Sequence, residues 1–305
     1  MKSILMTIAM AALLTACGHR TSQASSDADS VSVDSIQTVD SLKTDSIALQ
    51  HEDSTVSIML HIEWPTAGSE ELITSIRHYI CQELATSPNQ EEKIKAVETE
   101  DGQLALKPTF QRYLKGLSQM RREALEGGYA DGMTFSYYLH IFKLADTERY
   151  VTYLTNSEGF YGGAHGFANS TGLTFSKLTN KPLGYRTEYN EKTEQFEIRD
   201  QTLFSKPSSP KLAALIKEGV RSYFGSFDNT TPSDDELENE LIGVADVNRI
   251  PLPSTPPVFT TNGLTFTYQQ YEIAPYAAGM VNFNIAYDKV LPYLTPEAAA
   301  LVSKP

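Results

Sequence analysis

From Val56 to Trp64 the chain alternates strictly, with Val56, Ile58, Leu60, Ile62 and Trp64 set against Ser57, Met59, His61 and Glu63. A period of two predicts a half-buried strand. The period then lengthens: Leu72, Ile73, Ile76, Ile80 and Leu84 predict a helix over about 69–86. Phe110, Tyr113, Leu114, Leu117, Met120 and Leu125 predict a second helix, stopped by Gly127-Gly128. Residues 133–144 and 149–156 read as two strands joined by Ala145-Asp146-Thr147-Glu148, a hairpin.

The second half has the same grammar. Leu173-Thr174-Phe175 and Gln195-Phe196-Glu197-Ile198 predict strands, and 184–200 reads as a lengthened excursion between strands. Ser209-Pro210 opens a helix with apolar positions 212, 215, 216, 219, 220, 223 and 224. Ser233-Asp234-Asp235-Glu236 has the form of a capping box, which also accounts for its clustered acids. Four prolines between 251 and 257 predict an extended connector. Two strands follow, Leu264–Tyr268 and one through Val281, Phe283, Ile285 and Tyr287, and Thr295-Pro296 starts a short terminal helix. Helices and strands interspersed with a hairpin predict an α+β fold. Its largely antiparallel sheet is covered by helices on one face, in two consecutive subdomains packed together (55–165 and 166–305).

Composition separates residues 1–54 from the rest, because all thirty aromatic residues lie beyond them. Met1-Lys2-Ser3 and the apolar run Ile4–Leu14 form a secretory signal over residues 1–16, too short to span a bilayer. The run ends in Leu14-Thr15-Ala16-Cys17, which resembles the bacterial lipobox. That resemblance implies a Cys17 acylated with diacylglycerol and palmitate as the mature N-terminus. It places the protein in the cell envelope, at the outer membrane or cell surface rather than the inner membrane. Each buried CH₂ contributes about 0.8 kcal/mol, so several chains anchor stably. Residues 17–54 repeat Asp-Ser five times and carry seven acids against two bases. Such a segment buries too little to offset its ordering entropy and predicts an extended acidic tether.

The full chain carries 25 basic and 38 acidic residues, a net charge of −13, and residues 55–305 carry 22 and 31. This excludes nucleic-acid binding through the net field. Two cysteines exclude a disulfide scaffold, and Cys81, on the apolar helix stripe, reads as a structural thiol. Gly-x-Ser-x-Gly, His-Glu-x-x-His and Cys-x-x-Cys are all missing, so no catalytic site, metal site or cofactor is predicted.

Two segments remain that the core does not explain. One is Tyr161-Gly162-Gly163-Ala164-His165-Gly166, a special turn by its glycines. The other is Tyr271-Glu272-Ile273-Ala274-Pro275-Tyr276-Ala277-Ala278-Gly279. With the Gly-Leu-Thr-Phe strand and the striped helix, they resemble the paired extracytoplasmic domains of the anti-sigma factor RsiV and the peptidoglycan deacetylase PdaC. The resemblance spans roughly residues 55–292. It implies a non-catalytic α+β module that, in the RsiV type, captures lysozyme. The chain has neither a sigma-binding segment nor a deacetylase domain, so neither activity carries over. His165 is a candidate general base or metal ligand, against the favoured reading of a hydrogen-bonded structural histidine. Tyr271, Glu272 and Tyr276 either form a recognition surface or pack the end of the sheet. The expected function is a lipid-anchored envelope protein binding lysozyme, another protein or peptidoglycan glycan. The alternative is a cell-wall glycan hydrolase or deacetylase with its site near His165.

Overall fold

The computed structural model describes residues 41–85, 101–192 and 195–303. The chain divides into two units, 1–38 and 39–305. The first unit, with Cys17 and most of the expected tether, lies outside the described residues. Every described element belongs to the second unit.

A six-stranded sheet forms the first half, in the order β1-β2-β3-β4-β5-β6. Its strands are β1 (Lys43–Glu52), β2 (Val56–Ala67), β3 (Phe135–Asp146), β4 (Tyr150–Phe160), β5 (Phe167–Ser176) and β6 (Pro182–Leu183). Only β2 and β3 run parallel, from Val56↔Phe135 to Ile62↔Ile141. A parallel pair needs a long crossover, here supplied by α1 (Glu70–Ala85) and α2 (Gly102–Glu126). Both helices press on one face, where Ile58, Leu60, Ile62, Trp64, Leu139, Ile141 and Tyr153 are sealed from solvent together with Ile76 and Leu84. Cys81 is buried beside them, at 4% exposure.

The second half begins with a hairpin, β7 (Arg186–Asn190) and β8 (Gln195–Arg199), where a lengthened excursion is expected. Then come α3 (Pro210–Gly225), α4 (Asp234–Glu240), and a three-stranded sheet of β9 (Val258–Thr260), β10 (Gly263–Tyr268) and β11 (Val281–Ala286). Short helices α5 (Tyr287–Val290) and α6 (Pro296–Ala300) close the chain. The expected stripe of α3 buries Leu212, Ile216, Val220 and Phe224 against Phe266 and Phe283, whose rings stack 5.3 Å apart. Gly219 lies directly under the Phe283 ring, where a Cβ would collide with it. The capping box of α4 forms as its sequence predicts: Glu236 N donates to Ser233 Oγ and Ser233 N to Glu236 Oε2.

The two halves meet through β9. Thr152 and Thr174 face away from the helices and are fully buried. Thr152 Oγ1 donates to Phe259 O (2.8 Å), and Phe259 N donates to Thr174 Oγ1 (3.0 Å). Two side chains therefore satisfy the main chain of β9 where a strand would otherwise be needed. Tyr150 Oη adds a bond to Thr260 O at 2.8 Å.

Four expectations need correction. The tether ends before residue 54, because Lys43–Glu52 pair with β2 along their whole length. That strand is mostly polar and rests on main-chain bonds plus Ile47, at 4% exposure, and the partly buried Leu49 on the same face. The subdomain boundary expected at 165/166 cuts through the sheet: β4 pairs with β5 from Tyr150↔Ser176 to Gly159↔Phe167, so the first half runs on to β6. Helix α2 begins at Gly102 rather than near Phe110, with Asp101 Oδ1 accepting from Gln103 N and Leu104 N and Pro108 inside the helix. Tyr287 begins α5 instead of extending β11, and its hydroxyl bonds Thr260 O.

Ile47 packs against Trp64 and α2 at Gly102, where a Cβ would strike both side chains. Ile47→Ala should therefore cost about 2–4 kcal/mol. The exposed Gln50→Ala on the same strand should stay within about 0.5 kcal/mol. Urea unfolding of both variants checks this; equal, negligible effects would mean that β1 is dispensable.

Candidate functional site

The turn between β4 and β5 is residues 161–166. Gly162 sits at φ +83°, and a Cβ there would meet the Phe135 ring at 2.6 Å. Only glycine supplies both the left-handed backbone and the space. Tyr161 packs inward on Phe167, ring centres 4.9 Å apart, and its buried hydroxyl has no partner among the described residues. Burial raises that phenol's pKa well above the ordinary value. Gly163 lies between these inward residues and His165, and a Cβ there would meet only the His165 carbonyl oxygen at 3.7 Å, an ordinary contact.

The closing loop between β10 and β11 reaches this turn. The His165 ring stacks on Tyr276 at 3.9 Å and 26°, and its Nε2 lies 3.3 Å from Tyr271 Oη. The other imidazole nitrogen, Nδ1, is 2.8 Å from Gly166 O. Tyr271 and Tyr276 are themselves 5.8 Å apart, so three rings from the two singled-out segments form one cluster. Tyr271 is 55% exposed and adopts φ +66°. A non-glycine residue in that region costs about 1–2 kcal/mol and persists only where its surroundings impose it.

The surroundings do so through the neighbouring residues. Glu272 is turned inward: Ser254 N donates to its Oε1 at 2.5 Å and Gln269 N to its Oε2 at 2.7 Å. Desolvation holds its carboxyl above the usual pKa, with the two amides opposing. Glu272 thus anchors the loop, in line with the packing alternative of its two expected roles. Gln269 and Gln270 bond the outer edge of β5 in place of a further strand. Ser170 N donates to Gln269 Oε1 (3.0 Å), Gln269 Nε2 to Ser170 O (2.7 Å), and Ala168 N to Gln270 Oε1 (3.0 Å). Side chains that pair an edge strand also block edge-to-edge association.

Two concavities flank this junction, one on each face of the sheet. On the face away from the helices, a groove of about 510 Å³ runs between Met59, Tyr138, His140 and Asn156 on one side and Thr267, Met280 and Asn282 on the other. Beside it, His61 and His140, far apart in sequence, stack at 4.6 Å and 4° because they are register partners on β2 and β3. Burial and the neighbouring His61 lower the His140 pKa, with Glu63 opposing. On the helix side, a cavity of about 410 Å³ is lined by Glu83, Thr155, Ser157, Asn169, Thr171 and Gln269 over a floor that includes Tyr137 and Phe167. Sequence reasoning missed this cavity. Its signal was a run of polar residues at core-facing positions of β4 and β5. Among the described residues no three metal-ligating side chains come together.

Residues 201–288 match a family model described as a protein of unknown function, DUF3298. This segment is similar to the DUF3298 domain. It holds the striped α3 helix, the β10 strand and the closing loop, and it agrees with the RsiV- and PdaC-type resemblance read from those same elements. A solved DUF3298 family member from Bacteroides fragilis NCTC 9343 is similar over 88% of this chain and 100% of its own, at 18% identity and a TM-score of 0.62. A DUF3298 family protein from Pseudomonas aeruginosa PAO1 is similar over 86% of this chain and 98% of its own, at 14% identity and a TM-score of 0.52. At such identities the likeness is one of fold. No curated protein matches the chain.

Glu272→Gln keeps the side chain's size but turns an amide NH₂ toward one of two buried donors. It should cost about 1–3 kcal/mol. It should also speed amide exchange at Ser254 and Gln269, measured by hydrogen–deuterium exchange. Unchanged exchange at both sites would remove Glu272 as the anchor of the loop.

Proposed function

We propose that the protein is a lipid-anchored envelope binding protein, without chemistry of its own, that takes a cationic protein such as lysozyme on the His165–Tyr271–Tyr276 cluster. The observation that carries this reading is the assembly of three clustered rings, in a strained and firmly anchored loop, from segments a hundred residues apart. Tyrosines offer large contact area at low entropy cost, and their faces attract Lys and Arg. The surplus of acids over bases in residues 55–305 steers a cationic partner and makes association salt-dependent. Acylation at Cys17 would hold this surface at the outer membrane or cell surface. No helix among the described residues is long and apolar enough to cross a membrane.

Titration of the purified chain with lysozyme should show binding that weakens from low to moderate salt, and Tyr276→Ala should weaken it about tenfold or more. Absence of binding at both ionic strengths would overturn lysozyme as the partner. Cys17→Ala should abolish incorporation of labelled palmitate in cells and move the protein out of the membrane fraction. Retained label would refute the anchor.

A further inference from the structure

Along the helix-facing side of β4 and β5, residue character changes abruptly. Val151, Tyr153 and Phe175 are apolar and sealed, and Leu173, opposite Tyr153, packs against the same core. The next positions on the same face are Thr155 and Ser157 on β4 and Thr171 and Asn169 on β5, paired across the strands as Thr155↔Thr171 and Ser157↔Asn169. Polar side chains on a core face cost stability unless they are satisfied, and such local violations concentrate at functional sites. Here they wall the 410 Å³ cavity, a volume in the small-molecule range.

We propose that this cavity binds a polyhydroxylated small molecule, a saccharide unit, using Glu83, Thr155, Ser157, Asn169, Thr171 and Gln269. Hydroxyls and amides each both donate and accept, which matches sugar hydroxyls. Glu83 reaches over from α1 as an acceptor, already oriented by Thr171 Oγ1 at 2.7 Å. Tyr79 Oη, 2.7 Å from Thr155 Oγ1, orients that residue in turn. Gln269 is fixed by its bonds to Ser170, so the far wall is rigid as well. Tyr137 and Phe167, stacked at 6.4 Å and 28°, supply an apolar patch for the C–H face of a sugar ring. No basic side chain is among the described lining residues, which disfavours phosphate or carboxylate ligands. The site shares no side chain with the aromatic cluster, so the two readings stand or fall separately.

The test is calorimetry and saturation-transfer NMR on the full chain with glucose, galactose, N-acetylglucosamine and the β-1,4-linked dimers of glucose and N-acetylglucosamine, at millimolar concentrations. A parallel arm sediments the protein with insoluble glycan, to separate free sugars from a polymer-borne unit. Saturable binding of a panel member or sedimentation with the glycan is expected. Ser157→Ala and Thr171→Val should each weaken it about tenfold, whereas Tyr276→Ala should leave it unchanged. Ser157→Ala removes only one hydroxyl and serves as the readout if Thr171→Val impairs folding. No binding in either arm, or binding that Ser157→Ala leaves unaltered, would overturn the proposal.

Discussion

The two buried threonines that hold β9 are the constraint on which the arrangement depends. Thr152 and Thr174 are 2.9 Å apart at the end of the first sheet, and between them they satisfy both main-chain groups of Phe259. Each hydroxyl is sealed from water, so its bonds are strong and leaving one unmade is expensive. The joint sets where the second core lies on the first sheet. β10 follows β9 directly, and the loop after β10 therefore returns to the β4–β5 turn. Without that placement His165 and Tyr276 would have no reason to meet.

A second consequence is the treatment of the β5 edge. On the edge away from β4, β5 pairs with β6 at Thr174 and Phe175, and glutamine side chains bond that edge at Ala168 and Ser170. Side-chain amides can copy the donor–acceptor pattern of a strand, but only if the loop carrying them is held in place. Glu272, with its two main-chain donors, does that holding, and the left-handed Tyr271 is the strain that results. The same loop therefore closes an edge, walls the helix-side cavity through Gln269, and presents two exposed-side rings beside His165.

The fold was legible wherever burial imposes a period. The alternation of β2 and the stripe of α3 correspond to the observed elements, and the α4 capping box formed as written. The failures share a cause. β1 is held by main-chain pairing, so its Asp-Ser pattern reads as solvated chain although Ile47 and, in part, Leu49 enter the core. The break expected at residue 165 reflects glycines that permit a tight hairpin turn, a local geometry with no bearing on where a core ends. For Glu272 the sequence leaves a recognition surface and packing at the end of the sheet both open. Its burial depends on Ser254 and Gln269 amides that no spacing rule brings together.

By itself the amino-acid order determined the local elements, the acidic character of the chain and the two segments that stand apart from the periodic elements, because periodicity, charge and glycine content act over a few residues. The tertiary structure decided that those two segments touch, that His61 and His140 stack, and that polar residues of β4 and β5 enclose a cavity with Glu83. These are contacts between distant positions, set by sheet register and by one pair of buried threonines. Register is a collective property of packed strands. It is written in no single stretch of the chain.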